Sequence, residues 1–131
     1  MGRLIEDIAT WNYVRDNIVF DEELEYDMLW EELKEFADAK TNVDEVDALA
    51  DIIFVAIGSL YKKVGSVEKA EAVMRAVIEA NFRKGTKKNE AGKIQKPTNF
   101  VGPEAELQKI IDSGTESLWG SYLDKNKHIY A

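Results

Sequence analysis

The chain of 131 residues has no cysteine, a single histidine (His128) and only two prolines. Without cysteine there is no disulfide, thiolate zinc site, iron–sulfur cluster or cysteine nucleophile. One histidine removes any two-histidine metal site and all but removes a Ser–His–Asp triad. So little proline beside 45% apolar residues argues against disorder and for a packed core. Positive charge is scarce too: 17 Lys and Arg face 25 Asp and Glu, a net charge of −8. No grip on nucleic acid is expected, because phosphate binding needs clustered Lys and Arg. No apolar run approaches the roughly 18 residues of a membrane span. The start, Met1 to Asp7, has acids where a signal peptide is apolar, and Glu6 stands where myristoylation of Gly2 wants Ser or Thr. These absences predict a soluble, cytoplasmic protein of one domain, residues 1–131.

What is present is helical periodicity. Leu4, Ile5, Ile8, Trp11 and Arg15 step by three and four, predicting a helix over about 3–16. Ile18, Val19 and Phe20 interrupt it. A second helix is expected over about 21–39, with Leu24, Met28, Leu29, Leu33 and Phe36 inward. A third starts at Asn42, which with Glu45 fits a capping box. Its apolar residues Val46, Leu49, Ala50, Ile53, Phe54, Ala56, Ile57 and Leu60 cover over half its circumference, predicting near-complete burial. Gly65 is placed to end it. A fourth helix, about 66–83, carries Val67, Ala70, Val73, Met74, Val77, Ile78 and Phe82. A basic loop (83–103), a short helix (104–112) and a tail (113–131) with Trp119, Tyr122 and Tyr130 follow. The expected fold is all-α, an antiparallel bundle of four to five helices.

Acids are concentrated in its centre. Asp21 to Asp51 holds 13 acidic residues and two lysines. Asp21, Glu22, Glu23 and Glu25 read as solvated charges near a helix start. Two other groups read differently. Glu31, Glu32 and Glu35 border one strip of the second helix, at spacings of three and four. Asp47 and Asp51, four apart, lie inside the apolar stretch of the third. Antiparallel packing would bring Glu32, Glu35, Asp47 and Asp51 together. Two charges about 6 Å apart repel by roughly 3 kcal/mol at an effective dielectric of 20, so carboxylates buried together take up protons or a cation. Oxygen-only ligation suits Mg²⁺, with Mn²⁺ as its substitute. The alternative is that these acids face water and repel weakly. Trp11, Phe20 and Trp30 are candidates to stack a base, though aromatics at helical spacing are commonly core.

The segments EELKE, DEVDALADIIFVAIGSL and ANFRKGTKKNEAGKIQKPTNFVGPEAEL, across about 28–107, resemble the all-α nucleoside triphosphate pyrophosphohydrolases. That superfamily includes MazG-like proteins, dimeric dUTPases and phosphoribosyl-ATP pyrophosphohydrolases. The resemblance implies a bundle completed by oligomerisation, as a homodimer or homotetramer, and Mg²⁺ held by an E-x-x-E and an E-x-x-D. Carried over, Glu32 and Glu35 match the first pair, Glu31 an additional acid and Asp51 the final aspartate. The usual glutamate three before Asp51 is here Ala48, with Asp47 the nearest substitute. Asn81 and Lys84 match an element near the phosphates, and Lys87, Lys88, Lys93 and Lys96 would offset triphosphate charge. Asn81 and Lys84 also read as ordinary helix-end residues, and the loop as a solvated charge run. The implied reaction is metal-assisted hydrolysis of a nucleoside triphosphate to monophosphate and pyrophosphate, with Glu31 or Glu32 taking a proton from water. Phosphoribosyl-ATP hydrolysis and a non-catalytic nucleotide- or partner-binding bundle are the alternatives.

Overall fold

The computed structural model describes residues 3–113. Five helices run through them: α1 (Leu4–Tyr13), α2 (Glu22–Asp38), α3 (Asn42–Val64), α4 (Val67–Phe82) and α5 (Glu104–Asp112). No strand occurs among the described residues beyond an isolated antiparallel bridge, Lys88 with Ile94, so the chain is all-α as its periodicity predicts. None of these helices is long and apolar enough to cross a membrane. Trp119, Tyr122, His128 and Tyr130 of the expected tail lie outside the described residues. The described residues form two compact units, 3–70 and 71–113.

In the first unit each helix end has a local cause. After α1 the chain turns through Asp16, whose φ of 55° is left-handed, a conformation Asp tolerates better than most residues. Asp16 N–H donates to Tyr13 O at 3.0 Å and Asn17 N–H to Asn12 O at 2.9 Å, satisfying carbonyls of the last turn. The helix therefore closes before the expected residue 16. At α2 the side chain of Asp21 accepts from Leu24 N–H at 3.2 Å, and Glu25 Oε2 accepts in return from Asp21 N–H at 3.1 Å. That is a reciprocal cap. It was expected instead at α3, between Asn42 and Glu45. There the cap is Thr41, whose Oγ1 accepts from Asp44 N–H at 3.1 Å, and Asn42 is already the first helical residue. Gly65, at φ 89°, ends α3 with its N–H on Tyr61 O. Ser66 caps α4 through Lys69 N–H rather than belonging to it.

The short Ala39–Thr41 link folds α3 back along α2, so the pair is antiparallel. Contacts descend along it, from Glu25 against Ser59 and Lys62 to Asp38 and Ala39 beside Asp44 and Asp47. Ile5, Ile8 and Ala9 of α1, Ala48 and Tyr61 of α3, and Val67 and Ala70 of α4 are buried. Each isoleucine removed from water contributes roughly 2 kcal/mol. Burial of α3 is less complete than its composition predicts, because Val46, Leu49 and Ile53 are exposed. On α2, Leu24 and Leu33 are exposed as well, and only Met28, Leu29 and Phe36 of the expected inward set are part-covered. The apolar arc of α3 is wider than the contact that α1 and α2 provide.

The larger correction is Glu25. Expected to be solvated, it is 2% exposed. Its carboxylate forms an ion pair with Lys62, itself buried, and accepts from Ser59 Oγ at 3.1 Å. Burial alone would raise this carboxyl. The hydrogen bonds from Lys62, Asp21 N–H and Ser59, with the Lys62 charge, outweigh that and hold it below its ordinary 4.5.

In the second unit Val73, Ala76 and Ala80 form the buried face of α4, whereas Ile78 and Phe82 are exposed. The basic loop is more ordered than its composition suggests. Asn89 N–H donates to Lys93 O and Gln95 N–H to Lys87 O, both at 2.8 Å, around a turn containing Gly92 at φ 85°.

Removing one member of a buried ion pair leaves the other charge uncompensated, so Glu25→Ala should destabilise the protein by about 3–5 kcal/mol. Glu25→Leu combined with Lys62→Met should lose far less. Because the folded carboxyl titrates below 4.5, the unfolded chain binds more protons as pH falls through that value. The Glu25 contribution is therefore present above about pH 4.5 and disappears below it. Urea unfolding at pH 7 and pH 3.5 checks both statements.

Candidate functional site

Glu32 and Glu35 lie one turn apart on α2, and Asp51 faces them from α3. One carboxylate oxygen of each falls within 4.8 Å of the others. Glu32 and Asp51 are part-buried and Glu35 is exposed. Oε2 of Glu32 is buried without a hydrogen-bond partner, and a buried acceptor in that state costs about 1–3 kcal/mol. Burial raises the Glu32 carboxyl above 4.5. A hydrogen bond shared with Glu35 raises it further, as do the charges of Glu35, Asp51 and Glu31. Among the described residues no cation pairs with these acids as Lys62 pairs with Glu25. Three hard oxygen donors with an orphaned lone pair fit a divalent cation.

The other expected acids stand around this trio. Glu31 is exposed and acts on Glu32 through its charge. Asp47 is exposed and, with Glu35, Asp38, Asp44, Ala39 and Ala48, lines an adjoining cavity of about 300 Å³. The trio therefore comprises Glu32, Glu35 and Asp51, with Asp47 beside it rather than in it. Ala48 is buried at the cavity wall.

Among the aromatic candidates, Trp11 meets Phe54 edge to face, with ring centroids 5.1 Å apart. Phe20 carries the Lys63 ammonium over its ring at 4.7 Å, and Trp30 is exposed. The buried Glu25 is the neighbour that sequence reasoning missed, and Phe54, read there only as an apolar residue of the third helix, is the ring that meets Trp11. Glu25 had a signal, because it shares the 25–28–32–36 strip with Met28, Glu32 and Phe36, the part-covered side of α2.

In the second unit Lys84 and Lys93 come together on a cavity of about 580 Å³, with Asn89, Ile94, Gln95 and Lys96. Lys84 and Lys96 flank Phe100, at 5.8 and 5.6 Å from its ring centre. Lys87 and Asn81 are not on that lining. Asn81 spends one N–H on Val77 O at 2.8 Å, which leaves its Oδ1 as an acceptor.

The model of the phosphoribosyl-ATP pyrophosphohydrolase family matches residues 7–81, more than half of the chain. No curated protein and no solved structure matches. The matched stretch holds Glu31, Glu32, Glu35, Asp47, Asp51 and Asn81, and it ends before Lys84, Lys87 and Lys93.

The carboxylate trio costs the metal-free fold. A folded carboxyl titrating above 4.5 contributes stability that is complete below the unfolded value and is lost as pH rises through the folded one. Glu32→Gln should thus stabilise the metal-free protein at pH 7 by an amount on the order of 1 kcal/mol after solvent screening, read as a higher melting temperature. It should also reduce the stabilisation conferred by Mg²⁺. Calorimetry with and without the ion measures both. A variant less stable than the parent in the absence of metal would contradict the repulsion.

Proposed function

This chain belongs to the phosphoribosyl-ATP pyrophosphohydrolase family, whose activity is pyrophosphohydrolysis of a nucleotide, and from that footing we propose that it hydrolyses a nucleoside triphosphate to the monophosphate and pyrophosphate with Mg²⁺. The observation that carries this reading is the Glu32–Glu35–Asp51 trio with its unpaired Glu32 oxygen. These three residues would hold the ion, with Asp47 within reach of Glu35 as an accessory. When bound, Mg²⁺ supplies Lewis-acid charge to the phosphates and to the attacking water. Glu31, next to the trio in sequence and outside it, is the carboxylate available to accept that water's proton. The bond broken is that between the α- and β-phosphates, and pyrophosphate leaves. Lys84 and Lys93, with Lys87 and Asn81 nearby in the chain, would offset the negative charge of the polyphosphate.

The test is product analysis. Each nucleoside triphosphate, and phosphoribosyl-ATP, is incubated with the protein and Mg²⁺. Pyrophosphate from a triphosphate supports the proposal. Orthophosphate as the primary product overturns it, and turnover of phosphoribosyl-ATP alone reassigns the substrate. Tight nucleotide binding without turnover would make the chain a binding module. Asp51→Asn should abolish activity and Mg²⁺ binding by calorimetric titration. Asp47→Ala should weaken both while folding stays intact, and unchanged Mg²⁺ affinity would remove Asp47 from the site.

We also propose that the chain pairs with a second copy. Val46, Leu49 and Ile53 on α3 and Leu24, Trp30 and Leu33 on α2 leave apolar surface exposed on both helices that carry the carboxylates, more than scattered single residues would. Light scattering should give at least twice the monomer mass of 14.9 kDa, and an active monomer would refute the pairing.

A further inference from the structure

Resting on the reading of Glu32, Glu35 and Asp51 as a cation site, we propose that Glu25, Lys62 and Ser59 are its positioning residues. They fix the axial register of α2 against α3, and through it the carboxylate spacing that sets affinity and selectivity for Mg²⁺.

The two polar clusters are the ends of one seam. On α2 Glu25 precedes Glu32 by seven residues, and on α3 Ser59 follows Asp51 by eight. In antiparallel helices those intervals run side by side, roughly 10 Å on one and 12 Å on the other. Tying Glu25 to Ser59 therefore sets Glu32 against Asp51 to within about one residue's rise. Between the clusters lie Met28 and Leu29 on α2 and Val55 on α3, all part-covered. Apolar contact is non-directional, so this middle stretch favours closeness without choosing a register. Among the described residues, the directional bonds that join α2 to α3 are those of Glu25 with Ser59 and Lys62.

Glu25 is held at both oxygens. Oε1 accepts from Ser59 Oγ at 3.1 Å and pairs with the Lys62 ammonium, two donors three residues apart on α3. Oε2 accepts from Asp21 N–H at 3.1 Å, at the cap of α2. The carboxylate is thus tied to the backbone of one helix and to two side chains of the other. The side chains of Lys62 and Glu25 are 2% and 3% exposed, so a slide that parted them would leave two buried charges unpaired. At the other end of the seam the force has the opposite sign. Glu35 and Asp51 repel Glu32, and a slide of the helices would relieve them. The ion pair opposes that relaxation and keeps the carboxylates together before a cation is bound, which is preorganisation of the site. Stability alone gives no reason for a charged pair here, since apolar side chains of similar volume would serve it as well. Mg²⁺ gives one. It accepts little deviation from octahedral geometry at short distances, whereas Ca²⁺ tolerates a looser set of oxygens.

The test compares the full-length protein with a double variant, Glu25→Leu with Lys62→Met, in calorimetric titrations with MgCl₂ and CaCl₂ and no nucleotide. The variant should melt cooperatively and bind Mg²⁺ about 10-fold more weakly, the lower end for partners that orient metal ligands. Ca²⁺ affinity should fall less, so the ratio of the two affinities moves, which a purely structural role would not cause. Melts without metal give a second reading. Glu32→Gln should raise the melting temperature of the double variant by less than about half of its effect in the parent, because sliding has already relieved the repulsion, whereas independent sites this far apart would show equal shifts. Should the double variant not fold, Ser59→Ala, which keeps the ion pair, takes its place in both measurements, with a loss of Mg²⁺ affinity of about 3-fold for one hydrogen bond. Unchanged Mg²⁺ affinity in the folded variant, an equal loss for both ions, or equal shifts from Glu32→Gln overturns the positioning role and leaves the cation site standing. No Mg²⁺ binding by the parent, with unequal melting shifts, would instead remove the cation and leave the register lock.

Discussion

The ion pair of Glu25 with Lys62 sets the terms on which α2 and α3 meet. Both groups are buried, and neither tolerates burial without the other. Any sliding of one helix past the other by a turn would strand both charges. Their pairing, reinforced by Ser59 and Asp21 N–H, thus penalises every register except the one observed. In that register Glu32 and Glu35 stand against Asp51. An apolar pair at the same place would hold the helices as tightly, but it would discriminate less between registers.

Along α2 the same residue type is driven in opposite directions. Glu25 is held below its ordinary pKa and Glu32, two turns on, is raised above it. Both are taken from water, so burial does not distinguish them. What differs is the company: an ammonium, a hydroxyl and a backbone N–H around one, three further carboxylates around the other. The first arrangement is complete within the protein. The second is incomplete, as the unpartnered Glu32 oxygen records, and its convergence with Glu35 and Asp51 is what makes it a candidate ligand site. Its cost falls on the metal-free state and would be offset by a bound cation.

The helix ends show how far local chemistry reaches into the site. Asp16 in its left-handed turn brings Asn17 onto Asn12. Thr41 starts α3 in the phase that presents Ala48 and Asp51 to α2. These are short-range events, settled by one or two hydrogen bonds each, yet they determine which side chains converge many residues away.

Periodicity in the sequence was enough for the helices, their order and the all-α class, because the spacing of apolar residues is a property of one helix at a time. The candidate acids Glu32, Glu35 and Asp51 were legible for the same reason, since i, i+3 and i, i+4 spacing places side chains on a common face without reference to the rest of the fold. Three things were not legible. The burial of Glu25 depends on Lys62, 37 positions away, and no local pattern reports a partner at that distance. The identity of the α3 cap turned on whether Thr41 or Asn42 leaves helical geometry, where either side chain can accept the bond. The exposure of Val46, Leu49 and Ile53 followed from how much surface the neighbouring helices had to offer, a matter of packing. Tertiary structure decided these because each is a relation between elements, and a sequence states the faces of its helices but not what each face will meet.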